Sequence, residues 1–164
     1  MTVLPLVLWP DPRLERVCEP LAAVDDRLRT LAVDMLDTMY EAKGRGLAAP
    51  QVGVLERLFV MDATWKDGTP EPFVMINPTI MARDAKRAVI TEICLSIPGL
   101  EIAVDRPAAV TMQWTSETGE IHMNDFDGAE ARIIQHEMDH LNGIVTLAHL
   151  EEDARAAALA EYRP

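Results

Sequence analysis

Near the carboxyl end of the chain stands His136-Glu137-Met138-Asp139-His140, and no other five residues restrict the fold as much. Histidines at i and i+4 project from one face of a helix, one turn apart. Two imidazole nitrogens can then reach one ion at about 2.0–2.1 Å. Glu137 lies about 100° round such a helix, within reach of a water at the ion without ligating it. This is the two-histidine-plus-base arrangement of hydrolytic metal sites. The flanks agree with a helix over about 129–141. Asp127 and Glu130 have capping-box spacing, with Asp in place of Ser or Thr, and Asn142-Gly143 supplies a stop. Apolar Ile133, Ile134 and Leu141 give the helix a side to bury.

Two histidines leave a third ligand to be found. A downstream histidine three residues after Gly143 is excluded, because that position is Thr146. A late glutamate on another helix could only be Glu161, poorly anchored so near the end of the sequence. Upstream, Glu92-Ile93-Cys94-Leu95-Ser96-Ile97-Pro98-Gly99 places a cysteine after an apolar strand and before a Pro-Gly turn. A lone cysteine there is ordinary core filler. Beside a two-histidine helix that lacks a ligand it becomes the candidate, since a cation lowers a thiol's pKa and holds it as thiolate. One thiolate and two imidazoles leave a fourth position open, as catalytic sites do. Cys18, His122 and His149 have no such company and read as ordinary residues.

The rest of the chain frames this helix. A first helix is expected from about 25 to 43, with an apolar stripe at Leu28, Leu31, Met35, Met39 and Ala42. Asp25 would cap it and Gly44 would close it with φ > 0. Strands are expected near 57–62, 73–77, 88–94, 109–115 and 120–124, the last two joined by a turn at Ser116-Glu117-Thr118-Gly119. The segment after Glu151 is Ala-rich and expected to be helical. Helix, short strands, then helix implies an α+β fold with antiparallel sheets packed around the C-terminal metal-binding helix. With 164 residues and 49% hydrophobic content, a single domain over 1–164 is expected. Two cysteines make no disulfide framework, which suits a reduced, cytoplasmic setting. The net charge of -12, with fifteen basic residues forming no run, argues against nucleic acid as a partner. The apolar N-terminus lacks a basic leader and is far too short for a membrane span.

Three segments together resemble the peptide deformylase family: Gly44-Arg45-Gly46-Leu47-Ala48-Ala49-Pro50-Gln51, Glu92-Ile93-Cys94-Leu95-Ser96, and Gln135-His136-Glu137-Met138-Asp139-His140-Leu141. Weaker echoes at Pro10-Asp11-Pro12, Met35 to Tyr40, Ile76-Asn77-Pro78 and Arg106 extend the match over nearly the whole chain. The resemblance implies removal of formyl groups from N-formylmethionyl nascent peptides by a monomer. It implies one divalent ion held by Cys94, His136 and His140: Fe2+, with Zn2+, Ni2+ or Co2+ as substitutes. Glu137 would take a proton from the attacking water and pass it to the leaving amine. The Gln51 amide and the Leu95 backbone N–H would stabilise the oxyanion. Glu92 would pair with Arg106 to support the Cys94 loop. Gly44 and Gly46 belong to the first motif, where Arg45, Gly46 and Ile93 would border a groove that takes the substrate as an added strand.

Two positions depart from the family pattern. Ile93 replaces a usual glycine and excludes glycine-only backbone angles. Arg45 replaces a small apolar residue. Metal and water chemistry are expected to survive, with any change falling on substrate fit. Residues 151–164 also carry four acids against two arginines, so this tail is not expected to dock on ribosomal RNA. Three other readings compete: an amidohydrolase of altered acyl or peptide specificity, a non-catalytic metal-stabilised module that binds peptide ends, and a conventional zinc peptidase.

Overall fold

Four consecutive apolar residues, Leu58-Phe59-Val60-Met61, set the layering of the molecule. In the computed structural model, which describes residues 1–164, they form a strand with every side chain buried. Side chains alternate across a strand, so such a run needs cover on both faces. Leu58 and Val60 pack with Leu28, Ala32, Met35 and Met39 of a helix on one face. Phe59 and Met61 pack with Ala131, Ile134, Met138 and Leu141 of a second helix on the other. The first helix is α1 (Asp26–Glu41) and the second α2 (Gly128–Leu141).

The central sheet is formed by β1 (Gly46–Ala48), β2 (Leu58–Met61), β3 (Phe73–Arg83), β6 (Ala109–Thr115) and β7 (Ile121–Asp127), adjacent in that order and antiparallel. The remaining strands, β4 (Arg87–Ile93) and β5 (Glu101–Pro107), make a separate antiparallel pair. A short helix, α3 (Glu152–Glu161), follows and buries none of its residues. The α+β arrangement with antiparallel sheets is therefore as the sequence predicts. No helix is long and apolar enough to cross a membrane.

Local chemistry explains most boundaries. The Asp25 side chain accepts the Leu28 N–H at 2.9 Å and starts α1. At its other end the positive φ of 59° falls on Lys43, not on Gly44. Gly44 lacks a side chain for a different reason: a Cβ there would stand 2.7 Å from Leu95 Cδ1. Asp127 does occupy the N-cap of α2, but its side chain makes no capping bond, so the expected capping box is absent. Asp127 is also the last residue of β7, paired with Ala109, and that pairing constrains its backbone. The turn after β6 forms as expected, with Gly119 N–H donating to Ser116 O at 2.9 Å. Strand β5 escaped the sequence reading, although Ile102, Val104 and Arg106 alternate inward along it.

The C-terminus of α2 is held from outside. Arg57 donates to Leu141 O at 2.9 Å and to Asn142 Oδ1 at 2.9 Å, satisfying a carbonyl the helix cannot. Gly143 follows at φ 73°, and a Cβ there would lie 2.7 Å from the Glu15 carbonyl oxygen. Gly143→Ala is expected to cost at least about 1–2 kcal/mol, the left-handed penalty alone. Urea unfolding measures it, and an unchanged midpoint would contradict the close approach.

Candidate metal centre

Helix α2 turns His136, Glu137 and His140 toward the end of β4, and Cys94 stands just beyond that strand. The Sγ of Cys94 and one ring nitrogen from each histidine lie within 4.8 Å of one another, and Sγ is 3.3 Å from His140 Nε2. The two rings are 5.0 Å apart. One ion with bonds of about 2.0–2.3 Å can bridge a triangle of that size. Cys94, His140 and Glu137 are buried.

The surroundings orient these groups. Glu92, on β4, accepts from His136 Nδ1 at 2.8 Å, which leaves the opposite ring nitrogen free for a cation. The same carboxylate accepts from Arg106 Nε at 2.6 Å, Arg106 Nη2 at 2.9 Å and Arg132 Nη1 at 2.9 Å. Arg106 in turn donates to Asp139 at 2.8 Å, and His149 Nε2 lies 2.8 Å from the same oxygen. Burial alone would raise the Glu92 pKa, but the bonds from Arg106 and His136 hold it well below the usual carboxylate range. The Glu92–Arg106 pairing is as expected. Arg132, Asp139 and His149 were not read from the sequence as members of this network. Their signal was weak, because each belongs to a residue type common on exposed surfaces.

The donor set fits a cation on two counts. Burial opposes charge on His136, yet Glu137, Cys94 and Glu92 together push its pKa well up. Burial and the neighbouring His136 push His140 well down. The carboxylates and thiol thus favour positive charge at His136, while His140 is kept neutral, the form that ligates an ion. In addition, Glu137 Oε1 and His140 Nδ1 are buried with no partner in the chain. An orphaned carboxylate oxygen beside three soft and borderline donors suits a hydrated metal ion. Burial raises the Glu137 carboxyl to about 7, in the range a general base at neutral pH requires.

The other expected residues assemble around the same cleft. Gln51 Oε1 accepts from Ala48 N–H at 2.9 Å, while Nε2 donates to Ser96 Oγ at 3.0 Å and approaches Cys94 Sγ at 3.7 Å. The Leu95 N–H donates to no acceptor in the chain, and Leu95 lines the cleft. A Cβ on Gly46 would lie 2.8 Å from Ile133 Cγ2 and 2.9 Å from Glu137 Oε2, so β1 approaches the base as only glycine permits. Gly46→Ala is expected to displace the Glu137 carboxylate and lower kcat about 10- to 100-fold. Steady-state kinetics with metal content held equal would check it, and wild-type kcat would refute the contact. Arg45 forms a 2.8 Å ion pair with Asp67. Ile93 lines the cleft with 65% exposure and without a positive φ, so its side chain fits the local backbone without strain.

Residues 3–156 match the family described as Polypeptide deformylase. The chain is 40% identical over 162 residues to a peptide deformylase of Rhizobium meliloti (strain 1021), covering 99% of this chain and 93% of that one. It is 42% identical to one of Brucella suis biovar 1 (strain 1330), with coverage of 99% and 93%. Its backbone is similar to the crystal structure of peptide deformylase from Ehrlichia chaffeensis in complex with actinonin. That match has a TM-score of 0.93 and 36% identity, over 98% of this chain and 96% of that one. A peptide deformylase from Legionella pneumophila gives a TM-score of 0.92 at 36% identity, over 98% of this chain and 93% of that one.

Proposed function

Since the chain belongs to the polypeptide deformylase family, whose members are metal-dependent hydrolases, we propose that it removes the formyl group from N-formylmethionyl ends of new polypeptides and releases formate. The observation that carries this reading is the meeting of Cys94, His136 and His140 at one point, with the buried, unpartnered Glu137 carboxylate next to them. A divalent ion at that point would polarise the formyl carbonyl and acidify a water in its open position.

The chain's own groups divide the remaining work. Glu137 takes the proton from the attacking water and later delivers it to the leaving amine. Glu92 fixes the tautomer of His136 and, through Arg106 and Arg132, ties β4 and β5 to α2. The Leu95 N–H and the Gln51 amide donate to the developing oxyanion. For Gln51 this means exchanging the long contact to Cys94 Sγ, the weaker of its two acceptors, for a charged oxygen. Arg45, Gly46, Ile93 and Gly44 form the walls along which the peptide lies.

Fe2+ is the proposed resident ion, with Zn2+, Ni2+ and Co2+ accepted by the same thiolate and imidazole donors. The reading places the protein in the cytoplasm, acting as a monomer on nascent peptides. A formate-release assay on formyl-Met peptides, run anaerobically with iron, nickel and zinc forms, tests it. Turnover by at least one form is expected. An ion bound in every form without formate release would overturn the reading and favour a peptide-end binding module. Oxygen is excluded because a ferrous ion beside a thiolate is open to oxidation.

A further inference from the structure

The cleft beside Glu137 has a volume of about 350 Å³ and two walls of different character. One wall carries the segment around β1, a strand hydrogen-bonded only to β2. The other carries the end of β4, hydrogen-bonded only to β5. Both walls are therefore free strand edges, and an extended peptide can pair along them.

Three cations line this cleft on the β1 side: Lys43, Arg45 and Lys66. They include two of the three lysines in a chain of net charge -12. The carboxylates that line the cleft do not answer them. Glu92 is committed to Arg106, Arg132 and His136, and Glu137 is buried against Gly46. Arg132 also lines the cleft but is spent on Glu92 and the Val104 and Ala88 carbonyls. Asp67 answers Arg45 from a position 77% exposed, where water screens it, and Arg45 Nε is buried without an acceptor. Lys43 and Lys66 make no ion pair.

Lys66 is held in place by a built loop. The buried Asp62 carboxylate accepts from the Tyr40 hydroxyl at 2.7 Å, from Trp65 N–H at 3.1 Å and from Glu71 N–H at 3.1 Å. Trp65 Nε1 donates to Gly44 O at 2.9 Å, fastening the loop to the cleft wall. The Lys66 ammonium lies 5.6 Å from the centre of the Trp65 ring.

We propose that this wall selects formylated peptides with an acidic side chain at one of the second and third residues, whichever faces the rim, through Lys43, Arg45 and Lys66. The proposal rests on the deformylase reading and names the substrates that reading would favour. Side chains alternate along a bound strand, so those of one parity face the rim while the formyl end reaches Glu137. The rim is solvated, so each charge pair contributes modestly and the effect is a preference, not a requirement.

The test compares kcat/KM of the holoenzyme on the C-terminal amides of formyl-Met-Asp-Ala and formyl-Met-Ala-Asp with their lysine counterparts and with neutral formyl-Met-Ala-Ala amide. At one of the two positions the acidic peptide is expected to exceed its lysine counterpart about three- to tenfold at low salt, and at the other the ratio should be near one. In 1 M salt, where screening acts over about 3 Å, the ratio should fall toward one. The double variant Lys43→Ala/Lys66→Ala should lose most of the ratio, and Lys43→Arg/Lys66→Arg should keep it. A ratio of one at both positions in the wild type, with the neutral peptide turned over, overturns the preference alone. Failure to turn over even the neutral peptide overturns the deformylase reading beneath it.

Discussion

Glu137→Gln is expected to lower kcat for formate release by about 10²–10⁴-fold while the ion stays bound. The amide keeps the shape of the buried side chain but cannot take up a proton. Cys94, His136 and His140 are untouched, so metal content should stay at one ion per chain. Stability gives a second, opposite readout. Burial raises the folded-state pKa of Glu137 to about 7, above its unfolded value of about 4.3. The buried carboxyl therefore costs the metal-free protein stability progressively as pH rises from about 4.3 to about 7, and the cost stays constant above that, because folding opposes ionisation. Metal-free Glu137→Gln escapes that cost and should unfold later than the metal-free wild type at pH 8. Loss of turnover together with a gain in stability separates a chemical role from a structural one. Wild-type turnover by the variant would remove Glu137 from the reaction.

The largest loss of stability is expected from Glu92→Ala. Three cationic or potentially cationic partners converge on this carboxylate within 2.6–2.9 Å. Removing one member of a buried charge network leaves the others uncompensated, a cost of about 3–5 kcal/mol. Arg106 keeps Asp139, which limits the damage on one side of the network. His136 loses the acceptor that fixes its tautomer, so metal affinity should fall about 10- to 100-fold. The dependence on pH carries a definite sign. The Glu92 pKa is lowered on folding, so its stabilisation is fully present above the unfolded value of about 4.3 and is lost as pH falls below it. The gap between wild type and variant should be widest near neutrality and should close in acid. Denaturant unfolding at several pH values, with metal competition, measures both effects. A gap that widens in acid would contradict the pairing.

Much of this was legible because it depends on spacing within one element. The i, i+4 histidines and the glutamate between them follow from helical periodicity alone. The β6–β7 turn follows from its glycine. Cys94 required a further argument from the open third-ligand position, because nothing in Glu92–Ser96 by itself separates a ligand from a filler. Residues whose roles arise from tertiary packing were harder. Arg132 and Asp139 sit on α2 with ordinary charged side chains, and only the approach of β4 and β5 gives them partners. The left-handed residue after α1 was misplaced because two demands fell on neighbouring positions. Gly44 admits Leu95, and the left-handed turn falls one residue earlier, on Lys43. Ile93 shows the converse, since a departure from the family's glycine meets a backbone that does not require one.

The separation of β4 and β5 from the five-stranded sheet has a mechanical consequence. Cys94 lies in the connection between β4 and β5, whereas both histidines ride on the helix that covers the main sheet. No strand pairing crosses between the pair and the main sheet, so the charged cluster around Glu92 and any bound cation act as rivets across a seam, alongside the bonds from Arg132 and Gln135 to strand carbonyls and the apolar cluster around Val104. Binding free energy at the ion is thereby converted into cohesion between the two parts. Withdrawing the ion is expected to loosen the seam at the place where substrate must enter, while Ile102 and Val104 stay packed against Val7, Leu14, Val145 and Leu147.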